Sequence, residues 1–485
     1  MSNITTPFQL TDNFNMTEFN GMLNDINTNT IAPNIDISTT TANLYDTNNV
    51  DTALQMIAIA KTTITLTSTA VGKVARIEQG AIILTQTATG STIVFDVPKT
   101  GTWNIYYDNI GVGSANINVG DSFVKDVGYK IMTLNIDLTN SNPATCATYA
   151  DDAVTMTAGG SDWDAWFGIK PCLFKNGAVV GYLNPNNFTQ FADGSAADIT
   201  SGNAGDVMIE FPRLGLNITT VGNTLTISMT NNPNNSSFNY LAHTRGSTNK
   251  DYFYLGAYKG YTMGGQIRSL SGKAPTTSQT IGTFRTQAQA NGAGYEQSGF
   301  YQLIFRQAMY LLKYKNLDSQ TALGRGYVDG NSAAIATGGT NAKGMDFGET
   351  TGKLQMKLFG LEDFWGNVHE WIDGLVSTST WNMLTTTDNF NDTGAGYMDN
   401  GQGASANIGN YMSKPQGTTK TGFIAKEVTG SGSTYFCDYA SLYSSCVASF
   451  GSGWGDASGA GAFCLLVYIA ASYSGAAVGA RLMFL

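Results

Sequence analysis

Apolar and polar residues alternate with a period of two over much of this chain, most regularly at its carboxyl end. There Phe463, Leu465, Val467 and Ile469 fall on one side of an extended segment, and Cys464, Leu466 and Tyr468 on the other. After the turn-like stretch AASYSGA, Val478, Ala480, Leu482 and Phe484 alternate with Gly479, Arg481 and Met483. The pattern predicts a terminal hairpin. Phe463, Leu465 and Val467 are expected in the core, in a fixed register, because a one-residue slip would exchange the two faces.

The same period recurs upstream in TTITLTST, AIILTQTA, STIVFDVP, GTWNIYYD and YKIMTLNIDL, with Gly-rich breaks between them. Residues 61–140 therefore read as a small β-sandwich acting as a spacer, with Trp103 and Tyr107 in its core. Asn140 to Thr148 (NSNPATCAT) reads as a linker. Residues 146–250 are β-like but less regular, in AWFGIKPCLF, GAVVGYL, VMIEFPRLGLNI and NTLTISM. Trp163 and Trp166 read as core or as a sugar-stacking platform, core being the commoner use. At Tyr252 the character changes. YFYLGAYKGY reads as a strand, and Thr280–Ala290 and Gly299–Tyr314 read as helices. The second presents an apolar face of Leu303, Ile304, Ala308 and Leu311 or Leu312. Residues 1–60 are polar, with amphipathic turns around Phe19, Met22, Leu23 and Ile26, and again around Leu54, Ile57 and Ile59. They are expected to form a helical attachment or oligomerisation segment.

Composition narrows the function classes. A length of 485 residues suits about two to four domains. Only 13% of residues are charged and the net charge is -10, with no basic stripe, which argues against a nucleic-acid partner. The five cysteines, Cys146, Cys172, Cys437, Cys446 and Cys464, show no metal spacing and no disulfide framework. MSNITTPFQL has no basic or apolar leader region. Gly459 to Leu485 is apolar, but its glycines, its arginine and its period of two argue against membrane insertion.

Candidate chemistry is sparse. The histidines are His243 and His369, and HEWID is not a zincin H-E-x-x-H motif. Glu362, Asp363, Glu370 and Asp373 form the densest acidic cluster. They read as framework hydrogen bonds and a solvated face, where a glycosidase would need two carboxylates across a cleft. No cofactor, metal or catalytic residue is expected.

Two stretches carry a family resemblance. Gly360–Gly374, GLEDFWGNVHEWIDG, resembles the GNVWEW signature of the formylglycine-generating-enzyme type of C-type-lectin fold. Gly461–Phe484 resembles the variable region of diversity-generating-retroelement target proteins, whose scrambled adenines replace Asn codons. From Ser431 onward there is no Asn, Lys, Glu, Gln or His. VFDVPKTGTWNIYY in turn resembles the Ig-like or carboxypeptidase-regulatory-like sandwiches of phage tail proteins.

The resemblance implies variable slots at Cys464, Leu466, Tyr468, Ile469, Tyr473, Gly475 and Ala477. Upstream it implies others at Gly453, Gly455, Asp456 and Gly459, around a fixed Trp454. With Tyr435, Asp438 and Tyr439 these form the expected ligand-binding set, in a variable region of about 435–480. The expected architecture is an α+β C-type-lectin fold over 251–485, preceded by sandwich-like β regions and the helical amino-terminal segment. The implied function is that of a phage or prophage tail-fibre receptor-binding protein, not an enzyme, carried on the virion tail and made in the host cytoplasm. It would grip a host-cell surface protein or glycan and join a tail or baseplate protein through its amino terminus, as a homotrimer. A tail-associated glycan hydrolase and a cellular surface adhesin of the same variable fold are the alternatives.

Overall fold

The computed structural model describes residues 63–485 except 68, 70–72, 98–100, 108–109, 118–121, 127 and 331. The helical turns expected before residue 61 lie outside the described residues. The chain divides into two compact units, Met1–Tyr129 and Lys130–Leu485.

In the first unit, strands Thr92–Asp96, Thr63–Thr67 and Ser122–Asp126 form one sheet. Ile82–Thr87, Val74–Gln79, Gly101–Tyr107 and Ile110–Ile117 form another. Alternate residues from both sheets meet in a single core: Ile64, Leu66, Ile93 and Phe95 from one, and Ala75, Ile77, Trp103, Ile105 and Tyr107 from the other. This is the sandwich arrangement that the alternation predicts. The segment YKIMTLNIDL, expected to close it, does not. Its strand Ile131–Asp137 lies in the second unit, between Thr224–Thr230 and Ala147–Asp151.

The second unit is also mostly sheet. The boundary expected near residue 250 falls inside a seven-stranded sheet, because Asp206–Pro212 pairs with Tyr252–Gly256. AWFGIKPCLF is not one strand. A short helix, α1 (Asp162–Phe167), ends at Gly168 in the left-handed conformation (φ 64°), and the strand Lys170–Lys175 follows. Trp163 and Phe167, four residues apart, are buried on one side of α1, so Trp163 belongs to the core.

Both expected helices of the C-terminal half form. Helix α2 (Ile281–Gln289) is capped by Thr280, whose side chain accepts from the Thr283 amide. Helix α3 (Phe300–Tyr314) is buried on all sides through Lys313, beyond the apolar face expected. A helix with no water-facing side belongs at the centre of a domain, and several of its polar groups find internal partners. Gln307 Nε2 donates to the Ala462 carbonyl at 2.8 Å, and Arg306 donates to Ser298 Oγ at 3.0 Å.

An eight-stranded sheet carries the carboxyl-terminal region. Four of its strands matter most: β1 (His369–Ser377), β2 (Tyr439–Leu442), β3 (Val447–Phe450) and β4 (Leu465–Ile469). They lie side by side in the order β1-β3-β4-β2. The face with Ile372, Leu442, Ala448, Phe450, Leu465 and Val467 shares the main core with α3. On the other face Trp371, Val376, Val447 and Ile469 share a smaller core with Ile281, Phe284 and Ala288 of α2. The helix covers only the end of that face near these residues. Beyond it Tyr439 and Tyr468 are exposed.

The terminal hairpin does not form. After β4 the chain runs to Val478–Gly479, which pairs in parallel with β1. It then leaves this sheet, and Leu482–Phe484 pairs with Tyr252–Gly256 and Tyr295–Gln297 in the seven-stranded sheet. Arg481 sits at the crossing, fully buried, and donates to the Gly256 carbonyl at 2.7 Å and the Glu362 carbonyl at 2.9 Å. The alternation was read correctly as strand, but both faces of this strand are covered.

Candidate functional site

The acidic cluster of the GNVHEW segment is not a solvated face. Glu362, Asp363, Glu370 and Asp373 are all buried. Glu362 accepts from the Gly338 and Thr340 amides at 2.7 and 2.8 Å. Asp373 accepts from Arg285, with Nε–Oδ2 3.0 Å and Nη2–Oδ1 2.6 Å. Glu370 Oε2 lies 2.9 Å from Arg481 Nε and 3.3 Å from Lys259 Nζ. Burial alone would raise the Glu370 pKa, but Arg481, Lys259 and Arg306 outweigh it and hold the carboxyl well below the usual range. These groups build the frame and face no cleft.

The open site is a concavity of about 380 Å³ beside the uncovered end of the eight-stranded sheet. It falls within the size range of small-ligand pockets. Strand alternation positions its walls. His369 is two residues before Trp371 on β1, and so projects from the face that α2 covers further along. Tyr439 and Ser441 come from β2, Leu466 and Tyr468 from β4, and Tyr411 from the neighbouring strand Ile408–Tyr411. Tyr443, Ser452, Asp456, Gly459 and Cys464 complete the lining from the connecting loops.

The aromatic walls are two near-perpendicular pairs. Tyr411 and Tyr439 have ring centroids 6.2 Å apart at 72°, and Tyr443 and Tyr468 are 6.2 Å apart at 78°. The Tyr411 hydroxyl and Ser458 Oγ are 2.7 Å apart. The polar wall centres on Asp456, whose Oδ2 accepts from the Gly453 amide at 2.6 Å and lies 3.1 Å from His369 Nε2. Burial would raise the Asp456 pKa, but the His369 contact and the Gly453 amide hold it below the ordinary carboxylate value. His369 is itself fixed through its backbone, which donates to the Ala477 carbonyl at 2.8 Å. Cys464 Sγ lies 2.9 Å from Ser452 Oγ, and burial pushes this thiol far above its ordinary range, so it is no nucleophile at neutral pH.

Of the residues the resemblance singled out, Tyr439, Asp456, Gly459, Cys464, Leu466 and Tyr468 meet in this concavity. Tyr468 is 43% exposed, whereas Leu466 keeps only 6% and Cys464 is buried, so these two form floor rather than rim. Gly453 and Ala477 are not part of the lining, and a Cβ at Gly453 would meet the His369 ring, the Ala477 methyl and Asp456 at ordinary contact distance. Trp454 is half-buried, and Gly455 is exposed with open space where a side chain would go. Tyr473 is exposed away from the lining, and Gly475 is packed against its hydroxyl. Tyr435 is half-buried, with its amide bonded to the Ser141 carbonyl.

Two expected ligand-facing residues require correction. Asp438 is fully buried and accepts from the Phe463 amide at 2.7 Å. Burial raises its pKa well above the normal carboxylate range. Ile469 is packed into the core beneath α2. A bulge at Tyr468 explains the second case: Val467 pairs with Ala448 and Ile469 with Val447, so two successive partners on β3 span three residues of β4. The bulge turns Ile469 to the face opposite Val467, and α2 covers that spot. His369, Tyr411, Tyr443, Ser441 and Ser452 were not anticipated as lining. Tyr411, Tyr443 and Ser452 lie on strands or turns whose pairing brings them to the same face, which no local pattern reveals.

Neither comparison with family models nor a search of the curated proteins finds a match for this chain. No helix among the described residues is long and apolar enough to cross a membrane.

Proposed function

We propose that the carboxyl-terminal part of the second unit is a receptor-binding module of C-type-lectin type, whose exposed side chains are diversified to grip the surface of a host cell. In the full reading the chain is a phage tail-fibre protein acting as a homotrimer. The observation that carries the proposal is the division of labour on β4. Leu465 and Val467 are fully buried, while Leu466 and Tyr468 face a concavity. Exchange is tolerated at exposed positions such as Tyr468 and Tyr473, where a substitution costs about 1 kcal/mol or less, and is more destabilising at the buried Leu466. The Glu370–Arg481 pair adds support, since it ties together the two stretches on which the family resemblance rests. Exposed tyrosines offer rigid, amphipathic contact area of the kind paratopes use. The four acids of the GNVHEW segment are buried, so that segment offers the hydrolase alternative no accessible carboxylate pair.

The decisive experiment measures attachment of the purified chain to candidate host cells. Tyr468→Ala is expected to abolish attachment while leaving the protein folded. Release of sugar from the cell envelope, lost on Glu370→Gln in a protein that still folds, would favour the enzyme instead. A nearby near-copy of the DNA for residues 431–485, with adenines where the two differ, would support diversification.

A further inference from the structure

The charge inventory of the carboxyl-terminal segment is short. Between Ser431 and Leu485 the charged residues are Asp438, Asp456 and Arg481. Arg481 is fully buried against Glu370, and Asp438 is buried beneath the Phe463 amide. Asp456 is therefore the charge this segment presents to water, with its side chain 45% exposed. It sits on the wall of the concavity, and no Lys or Arg lines that wall. Gly453 and His369 occupy Oδ2, while Oδ1 makes no hydrogen bond.

The remaining wall is aromatic. Tyr411, Tyr439, Tyr443 and Tyr468 line the same concavity as the carboxylate, and a tyrosine ring attracts a cation within about 6 Å of its centroid. Ser441 Oγ and His369 Nδ1 belong to the same wall and are buried without a hydrogen-bond partner. Ser441 Oγ can accept a hydrogen bond, and so can His369 Nδ1 when the imidazole is neutral with its Nε2–H toward Asp456, so a ligand bearing N–H donors suits both atoms. An anionic ligand would meet Asp456 with no lysine or arginine to offset it. A neutral sugar would gain from the rings but not from the carboxylate.

We propose that this tyrosine-walled concavity binds an organic ammonium group, with Asp456 as its counter-ion. The inference rests on the receptor-binding reading and narrows it to a ligand class. The orphaned acceptors call for N–H donors, which a primary ammonium carries and a choline headgroup lacks, so the ligand argued for is a lysine side chain of a receptor protein.

The test titrates the full chain with Nα-acetyl-lysine amide, with choline, and with 3,3-dimethylbutan-1-ol, the neutral isostere of choline, read by tyrosine fluorescence. An ammonium probe is expected to bind at least about tenfold more tightly than the neutral alcohol. Asp456→Asn keeps the shape and an acceptor for Gly453, and is expected to remove that preference. Tyr468→Phe is expected to retain binding and Tyr468→Leu to weaken it, the order a ring face gives and a hydroxyl contact would not. A preference for the lysine amide over choline supports the proposal, and a preference for choline points to the envelope and overturns it. Equal binding of the neutral alcohol, no ammonium binding at all, or unchanged ammonium binding by Asp456→Asn overturns it. Host attachment that survives Asp456→Asn also overturns it while leaving the receptor reading intact. Ammonium binding by a chain that attaches to no host supports the ligand class and counts against the receptor reading.

Discussion

Arg481 Nε lies 2.9 Å from Glu370 Oε2, and both side chains are fully buried. The pair joins the strand after GNVH to the crossing segment near the carboxyl terminus, so it fixes where the chain leaves one sheet for the other. Lys259 and Arg306 also face Glu370, at 3.3 and 3.5 Å. Removing the one anion leaves buried cations uncompensated, which is far costlier than never having had the charges. Glu370→Gln is therefore expected to lower stability by about 3–5 kcal/mol, measured as a shift in the urea midpoint at constant slope. The Glu370 pKa is depressed in the folded state, so its contribution is present above the unfolded carboxylate value and is lost as pH falls below it.

Side chains of β4 are expected to fall into two classes that do not follow simple alternation. Tyr468→Ala should cost no more than about 1 kcal/mol, because 43% of the residue is exposed and the loss is chiefly its edge-to-face contact with Tyr443. Leu465→Ala should cost about 2–5 kcal/mol, as a core truncation does. Ile469→Ala should cost a similar amount, about 2–5 kcal/mol, because the residue lies under α2. Thermal or chemical denaturation of the three variants tests this. An Ile469→Ala protein as stable as Tyr468→Ala would mean that α2 does not cover that position.

These differences mark what a sequence can and cannot reveal. The alternation through Phe463, Leu465 and Val467 is enforced by burial on one face, so it is visible in the residues themselves. The position of Ile469 depends on a bulge and on a helix almost two hundred positions earlier, and neither leaves a local trace. The helices at Ile281–Gln289 and Phe300–Tyr314 were readable from their spacing. That α3 is buried all round was not, since its arginine and glutamines look solvent-facing until Ser298 and Ala462 supply partners. The site was half legible. Tyr468 and Asp456 lie in the stretch that resembles a variable region. His369 and Tyr411 reach the same concavity only because distant strands pair there.

All five cysteines are free and buried. Burial raises each thiol above its ordinary pKa, Cys146 to about 11. Both access and thiolate fraction should therefore be small at pH 8. Native protein is expected to resist a thiol reagent, and denatured protein to take up one label per cysteine, counted by mass spectrometry. Rapid native labelling at Cys464 would show that the floor of the concavity opens to solvent.

The last prediction concerns His243, which lies outside the proposed site. It is fully buried between Phe253 and Phe305, with ring centroids 4.9 and 5.1 Å away. Burial penalises the imidazolium and pushes the folded-state pKa down from 6.5 to about 3. The unfolded chain therefore binds a proton at this residue between those values, while the folded chain does not. Stability follows the difference in bound protons, so this contribution is complete above about pH 6.5 and shrinks as pH falls toward 3. The loss is on the order of 4–5 kcal/mol. Buried carboxylates titrate over the same range. Asp373, pushed up by burial to about 6 despite Arg285, has the opposite sign and stabilises the fold below its folded value. The comparison that isolates the histidine is thus between the native chain and His243→Leu, unfolded in urea at several pH values. The variant is expected to lose less stability than the native chain between pH 6.5 and pH 4. Parallel curves would mean that the imidazole takes up its proton inside the fold.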